Sequence, residues 1–166
     1  MNQAEKLIQL LNLTPHPEGG YFKETYRSDG KINEDSLNNS YSGNRNYSTA
    51  IYFLLTSDQF SSFHKIHQDE AWHFYDGVPV KIHMISNNGD YSNVIVGRDF
   101  DKGEVPQFVV PGEYWFAAEV IENNSFSLVG CTVSPGFDFN DFKLAKREDL
   151  ILKFPQHKEI ITKFTR

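Results

Sequence analysis

The chain has one cysteine, Cys131, so no disulfide can close within it. Its position in the apolar run Ser127-Leu128-Val129-Gly130-Cys131-Thr132-Val133 reads as a small buried core residue rather than a reactive thiol. No apolar run reaches the roughly 18 residues that a membrane-spanning helix needs, so no membrane association is expected. Met1 to Leu13 lacks a basic start followed by an apolar core, so no secretory signal is legible and the expected compartment is the cytoplasm. Positive charge is scarce: 16 Lys and Arg against 22 Asp and Glu leave a net charge of −6. That balance argues against non-specific binding to nucleic acid or anionic membranes, which requires a basic patch. Gly-rich phosphate loops, a Gly-x-Ser-x-Gly elbow and cysteine pairs are also missing, which removes the commonest nucleotide, hydrolase and metal-finger signatures. Repeats, low-complexity tracts and linkers are absent too, and 166 residues suit one self-sufficient core, so residues 1–166 read as a single domain.

Aromatic residues are abundant at 14%, with fourteen Phe and eight Tyr, which suits strands and an aromatic-lined cavity. Ala4, Leu7, Ile8 and Leu11 repeat at helical spacing, predicting a short N-terminal helix over Ala4 to Leu13 that ends at Thr14-Pro15-His16-Pro17. A Gly-Gly turn then leads into the strand Tyr21 to Arg27. Ser28 to Asn46 is polar and reads as a loop or mobile insertion. Strands follow at Tyr47–Thr56, Ser61–Ile66, Ala71–Tyr75, Val80–Ser86 and Tyr91–Gly97, then at Gln107–Val110, Tyr114–Ile121 and Ser125–Val133. Turns such as Asp76-Gly77 and Asn88-Gly89 favour the positive φ of tight hairpins. Phe142 to Leu152 suits a short C-terminal helix. Many short strands at even spacing predict an all-β sandwich or barrel.

The densest chemistry lies in Ser62-Phe63-His64-Lys65-Ile66-His67-Gln68-Asp69-Glu70-Ala71-Trp72-His73-Phe74-Tyr75-Asp76-Gly77, with three histidines and two carboxylates within ten residues. Imidazole and carboxylate are both metal ligands and general acids and bases. This segment and Val109-Val110-Pro111-Gly112-Glu113-Tyr114-Trp115-Phe116 resemble the two motifs of a cupin barrel. His64 stands at the first histidine position, and Glu70 with Gly77 keeps the motif spacing. Ile66 stands at the second histidine position, and Trp115 at the histidine of the second motif. His16-Pro17-Glu18-Gly19-Gly20-Tyr21-Phe22-Lys23-Glu24-Thr25-Tyr26-Arg27-Ser28, Ser48 to Leu55 and Ser134 to Phe142 complete a resemblance to the cupin-5 family over nearly the whole chain. The resemblance implies a double-stranded β-helix, the cupin jelly-roll barrel, with short N- and C-terminal helices. It also implies a homodimer, with outward aromatics such as Tyr75 covered by the second copy.

Strand alternation sorts the candidates. His64 and Ile66 share one face, and with Glu70 facing inward Trp72 and Phe74 follow it, while His73 and Tyr75 point outward. His73 is also placed to form a pocket edge. His67 and Asp69 fall in the turn. Trp115 is expected to add a second indole to the cup, and His83 to sit on the sheet surface. The Glu18-Gly19-Gly20-Tyr21 turn is a candidate lid or pocket edge. Glu24 and Arg27, three apart on one strand, are expected on opposite faces, with Arg27 a candidate for binding a carboxylate or phosphate. Asp138 and Asp141 are candidates for the barrel mouth.

With two ligand positions apolar, no metal or other cofactor is expected. A metal, if bound, would require His64, Glu70 and a third donor from His67 or His73. The leading expectation is a small-molecule ligand, sugar-like or cyclic and polar, isomerised or epimerised by proton transfer. His64 would act as base, Glu70 as its partner or the acid, and Trp72 and Trp115 would stack on the ring. A non-catalytic binding or sensing barrel and a metal-dependent enzyme are the alternatives.

Overall fold

The computed structural model describes residues 2–166. Helix α1 (Gln3–Leu11) is started by a capping box, in which the Asn2 side chain accepts from the Glu5 amide and Glu5 reaches back to the Asn2 amide. It ends at Asn12 in the left-handed conformation and is followed by strand β1 (Thr14–Pro15).

Two antiparallel sheets face one another. The first runs β1, β2 (Tyr21–Arg27), β5 (Thr49–Thr56), β12 (Phe126–Ser134), β7 (Asp69–Gly77) and β10 (Gln107–Val110). The second runs β13 (Lys143–Leu144), β6 (Phe60–Lys65), β11 (Trp115–Val120), β8 (Val80–Ile85) and β9 (Tyr91–Val96). Between them lies a core that includes Phe53, Trp72, Ile82, Met84, Phe116 and Val129. Burying such side chains contributes roughly 1.5–3 kcal/mol each. This is the jelly-roll arrangement expected for the all-β chain.

Apolar residues also occupy the outer faces, and helices cover them. Helix α1 lays Ala4 against Leu54 and Leu128 of the first sheet. Helices α2 (Arg147–Lys153) and α3 (Lys158–Lys163) bring Leu150, Phe154, Ile161 and Phe164 onto Phe63, Ile85, Trp115 and Ala117 of the second. Among the described residues, no helix is long and apolar enough to cross a membrane.

The structure corrects three local expectations. The expected short C-terminal helix is present as α2, but it starts only at Arg147, after strand β13, and a further helix α3 follows it because Pro155 stops α2 and starts a new turn. His83 does alternate outward, but α3 covers that face. Its ring lies 4.7 Å from Phe164 and bonds Tyr91 Oη at 2.6 Å and Glu119 Oε1 at 3.1 Å, so it is buried rather than on the surface.

The third correction concerns Ser28 to Asn46, which is more than a loose loop. Strands β3 (Lys31–Ile32) and β4 (Arg45–Asn46) pair within it. Arg45 is buried and binds Asp141 through two bonds of 2.5 and 2.8 Å. Asp141 also accepts from Gln68 at 2.7 Å. A polar segment becomes ordered here because one buried guanidinium demands partners. Replacing Asp141 by Ala leaves that charge unpaired, so D141A should lower the unfolding free energy by about 3–5 kcal/mol in a denaturant titration. A loss under 1 kcal/mol would show that the pair does not anchor the segment.

Candidate functional site

A cavity of about 270 Å³ opens between the sheets at one end of the barrel. Strand β5 gives it Thr49, Ile51 and Phe53, strand β7 Glu70 and Trp72, and strand β12 Cys131 and Val133. His64 comes from β6 of the second sheet, Ile66 from just beyond that strand, and His16 and Glu18 from the turn before β2. The loop after β12 folds over the mouth with Phe137, Asp138, Phe139 and Phe142.

Glu18 sits at the centre of the polar part. Its Oε1 accepts from Ser61 Oγ at 2.8 Å and its Oε2 lies 3.1 Å from His64 Nε2. A β-bulge makes this possible, since the β6–β11 register shifts between Phe116 and Ala118. The turn is held from outside as well. The Ser62 amide donates to the Glu18 carbonyl at 2.8 Å, and Arg166 donates to that carbonyl and to Ser62 Oγ, both at 2.9 Å. Gly19 occupies φ 114, and a Cβ there would collide with the Phe60 carbonyl.

Protons can be assigned from these bonds. His64 Nδ1 faces the Ser62 carbonyl at 2.7 Å, and a carbonyl only accepts, so Nδ1 carries a proton. His64 Nε2 and Glu18 therefore share one proton between them. Burial lowers the His64 pKa and raises that of Glu18, which favours the neutral imidazole beside a protonated carboxyl. His16 Nδ1 accepts the Glu18 amide at 3.3 Å, so its proton is on Nε2, and burial lowers its pKa too.

Glu70 differs from Glu18 in having little to hold it. The cavity's ion pairs involve Glu18 and Glu24, not Glu70. Burial raises its pKa to about 7, opposed by His64, assisted by Glu18, and eased slightly by the Cys131 thiol and the Trp72 indole. The indole is close without bonding: Trp72 Nε1 is buried and has no acceptor. Cys131, driven well above its ordinary pKa by burial and by Glu70, stays a thiol. The wall therefore presents a titratable carboxyl next to an unpaired donor.

At the rim, Arg27 grips Glu24 through Nε at 2.9 Å and Nη2 at 2.7 Å. The same guanidinium donates to Asn46 Oδ1 at 2.9 Å and to the Phe137 carbonyl at 3.1 Å. The expectation that Glu24 and Arg27 face opposite ways is corrected by a second bulge. The β2–β5 register shifts between Glu24 and Tyr26, turning both residues toward the cavity.

Of the residues singled out in the sequence, the structure gathers His64, Glu70, Trp72, Glu18, Arg27 and Asp138 around the cavity. Others lie elsewhere. Trp115 points to the outer face beneath α2 and α3, and its neighbour Phe116 faces inward, opposite His64 with ring centroids 4.1 Å apart. Phe74 shares the face of Trp72 but lies about 13 Å along the strand from Glu70, half-buried against the core. Tyr21 packs outward with the residues beneath α1 because Phe22 takes the inward position. His73 bonds Thr132 Oγ1 at 3.2 Å on the outer face. His67 is tied to Glu113 in the turn and meets Tyr41. Asp141 is committed to Arg45.

The sequence offers no site role for His16 or Glu24, and Cys131 is the small buried core residue expected, with one side on the cavity. His16 stands beside Glu18 in the quoted His-Pro-Glu-Gly-Gly signature, which was its available signal. The bulge that turns in Glu24 leaves none.

With His67 and His73 elsewhere, the donor set expected from the sequence is not assembled. Among the described residues, no group of three or more His, Cys, Asp or Glu is arranged to hold a metal ion. The residues do not fit a resident metal.

Two facing sheets around a carboxylate- and histidine-bearing cavity define a cupin-type barrel. The profile of the Cupin_5 family, Cupin superfamily (DUF985), matches residues 5–145, and the chain belongs to that family. It is 38% identical to the uncharacterized protein YML079W of Saccharomyces cerevisiae over 157 residues, covering 89% of this chain and 78% of the yeast protein. The crystal structure of protein SO0799 from Shewanella oneidensis superposes with a TM-score of 0.90 at 38% identity, covering 100% of this chain and 99% of that one. Oxalate decarboxylase from Bacillus subtilis shares the fold alone, with a TM-score of 0.54 and 15% identity over 90% of this chain and 36% of its own.

Glu70 should leave a mark on stability. Its carboxyl ionises near 7 when folded against an ordinary value of 4.5, so the folded state holds a proton that the unfolded chain releases. Its contribution is full below pH 4.5 and is lost as pH rises through about 7. The lowered pKa of His64 acts in the opposite sense, with stability lost as pH falls below 6.5, and it is common to parent and variant. Glu70→Gln should therefore match the parent at pH 4 and exceed it at pH 8 by up to about 3 kcal/mol. Equal unfolding free energies at both pH values would contradict this account of Glu70.

Proposed function

We propose that the protein is a proton-transfer enzyme, an isomerase or epimerase, acting on a small cyclic polar metabolite. The observation that carries this reading is Glu70: a carboxyl on a cavity wall, without an ion-pair partner, and poised to titrate at about 7. General acid–base groups work best with a pKa near the working pH. A cavity of about 270 Å³ falls just below the roughly 300–1,000 Å³ of most small-molecule sites, so it suits one ring rather than a nucleotide conjugate. Phe22, Phe53 and Trp72 offer faces and edges against which such a ring packs.

The geometry supports a different division of labour from the one expected from sequence. Both ring nitrogens of His64 are engaged, Nδ1 by Ser62 and Nε2 by Glu18, so the base role falls to Glu70. As carboxylate, Glu70 takes a proton from a carbon beside a carbonyl, and the electron pair of the C–H bond moves onto the carbonyl oxygen. When the carbonyl re-forms, the electron pair returns to carbon, which takes a proton from the Glu70 carboxyl. Glu70 is again the carboxylate it began as, so substrate and product differ only in where hydrogen is attached. The rival reading, a barrel that holds its ligand without turnover, predicts binding with no exchange.

Candidate cyclic ketones and hydroxy-aldehydes incubated with the protein in D2O test this by NMR. The parent should replace a ring C–H by deuterium, and Glu70→Gln should slow that exchange by roughly 10²–10⁴-fold. A compound that binds the parent and exchanges no C–H would favour the non-catalytic barrel.

A further inference from the structure

We propose that the cavity selects an organic cation, a protonated amine or nitrogen ring, over neutral and anionic rings of the same size. The inference deepens the proton-transfer reading by naming the charge class of its ligand, and it rests on that reading for the cavity being the working site.

The charges on the cavity wall favour a cation. Among the described residues Arg27 is the one Lys or Arg lining the cavity, and its Nε, Nη1 and Nη2 are all engaged by Glu24, Asn46 and the Phe137 carbonyl. It has little left to offer an anion. His16 and His64 are buried and held neutral, so they add no positive charge. On the other side stand Glu70 and, at the rim, Asp138; Glu18 is protonated beside His64, and among the described residues no cation is paired to Glu70. Above pH 7 an anionic ligand would meet the unpaired Glu70 carboxylate in a low-dielectric pocket, where like charges repel strongly.

The apolar part of the wall is largely aromatic. Phe22, Phe53 and Trp72 line the interior, and Phe137, Phe139 and Phe142 close the mouth. Aromatic faces around a carboxylate are a setting that attracts cations through ring quadrupoles, more strongly when the cation is desolvated. A ligand ammonium would supply the charge that Glu70 lacks, while an acceptor atom on the same ligand would satisfy the orphaned Trp72 Nε1–H.

Protonation follows from the same geometry. Glu70 is faced by His64 from β6, by Glu18 and His16 from the turn, by Cys131 from β12, and at the rim by Glu24, Arg27 and Asp138. A bound cation favours the Glu70 carboxylate, so binding must release a proton when the pH lies below about 7. Affinity for a cation should then drop about tenfold per pH unit below that point.

Three near-isosteric probes test this by isothermal titration at pH 8: benzylamine, which is protonated there, benzyl alcohol and benzoate. The expected order is benzylamine at least tenfold tighter than benzyl alcohol, with benzoate weakest. Glu70→Gln should bring benzylamine to within threefold of benzyl alcohol, and lowering the pH to 6 should weaken benzylamine alone. Benzoate binding as tightly as benzylamine, no measurable benzylamine binding, or an unchanged preference in Glu70→Gln would each overturn the inference. Those results leave deuterium exchange on neutral ketones untouched, whereas cation selection without any exchange would count against the proton-transfer reading only.

Discussion

The burial of acidic groups in an aromatic cavity is the constraint around which this barrel is organised. A carboxyl removed from water must find partners or give up its charge. Glu18 does both, with partners for its two oxygens and a pKa raised by burial. Ser61 and His64 take its two oxygens, while Ser62 and Arg166 hold its backbone. Glu70 does the second, with a raised pKa and no ion-pair partner. One acid in the cavity is built into the scaffold and the other is left for a ligand. Such an arrangement sacrifices stability at neutral pH, and proteins tolerate that at functional sites.

The scaffold that holds Glu18 comes from distant parts of the chain. Two β-bulges, one in β6–β11 and one in β2–β5, aim Glu18's partners and the Glu24–Arg27 pair. The C-terminal segment contributes too. Phe164 accepts the Phe63 amide through its carbonyl at 2.8 Å, and Arg166 reaches the Glu18 turn. Both residues lie beyond the matched region 5–145, so the barrel of the family is braced here by a tail that packs on its outer face. The Arg45–Asp141 pair does the same for the loop carrying Phe137 to Phe142, linking the mouth of the cavity to the segment before β5.

The strands and their inward faces were legible because alternation is a property of the strand itself. His64, Glu70 and Trp72 fall on one wall for that reason. The errors arise where alternation is broken or covered. Trp115 was placed inside by its motif position, but the register that sets Phe116 against His64 turns the indole out. Glu24 and Arg27 share a wall only because a bulge adds a residue between them. His83 points outward as its parity demands, yet a helix 70 and more residues later in the chain buries it. Bulges and long-range covering leave no local trace, so a single sequence read by period cannot find them. The pairing of His64 with Glu18, rather than with Glu70, is of this kind: 46 positions separate the two residues, and only the folded barrel brings them together.

Charge and proton chemistry in this cavity depend on one quantity, the ionisation of Glu70. Carboxyl-labelled glutamate in the parent and in Glu70→Gln, followed by carbon NMR from pH 3 to 9, isolates that resonance by difference. A midpoint near 7 is what the buried and unpaired carboxyl predicts. A midpoint in the ordinary carboxylate range, near 4.5, would contradict the account, because Glu70 would then be solvated or ion-paired and unsuited to hold and return a proton at neutral pH.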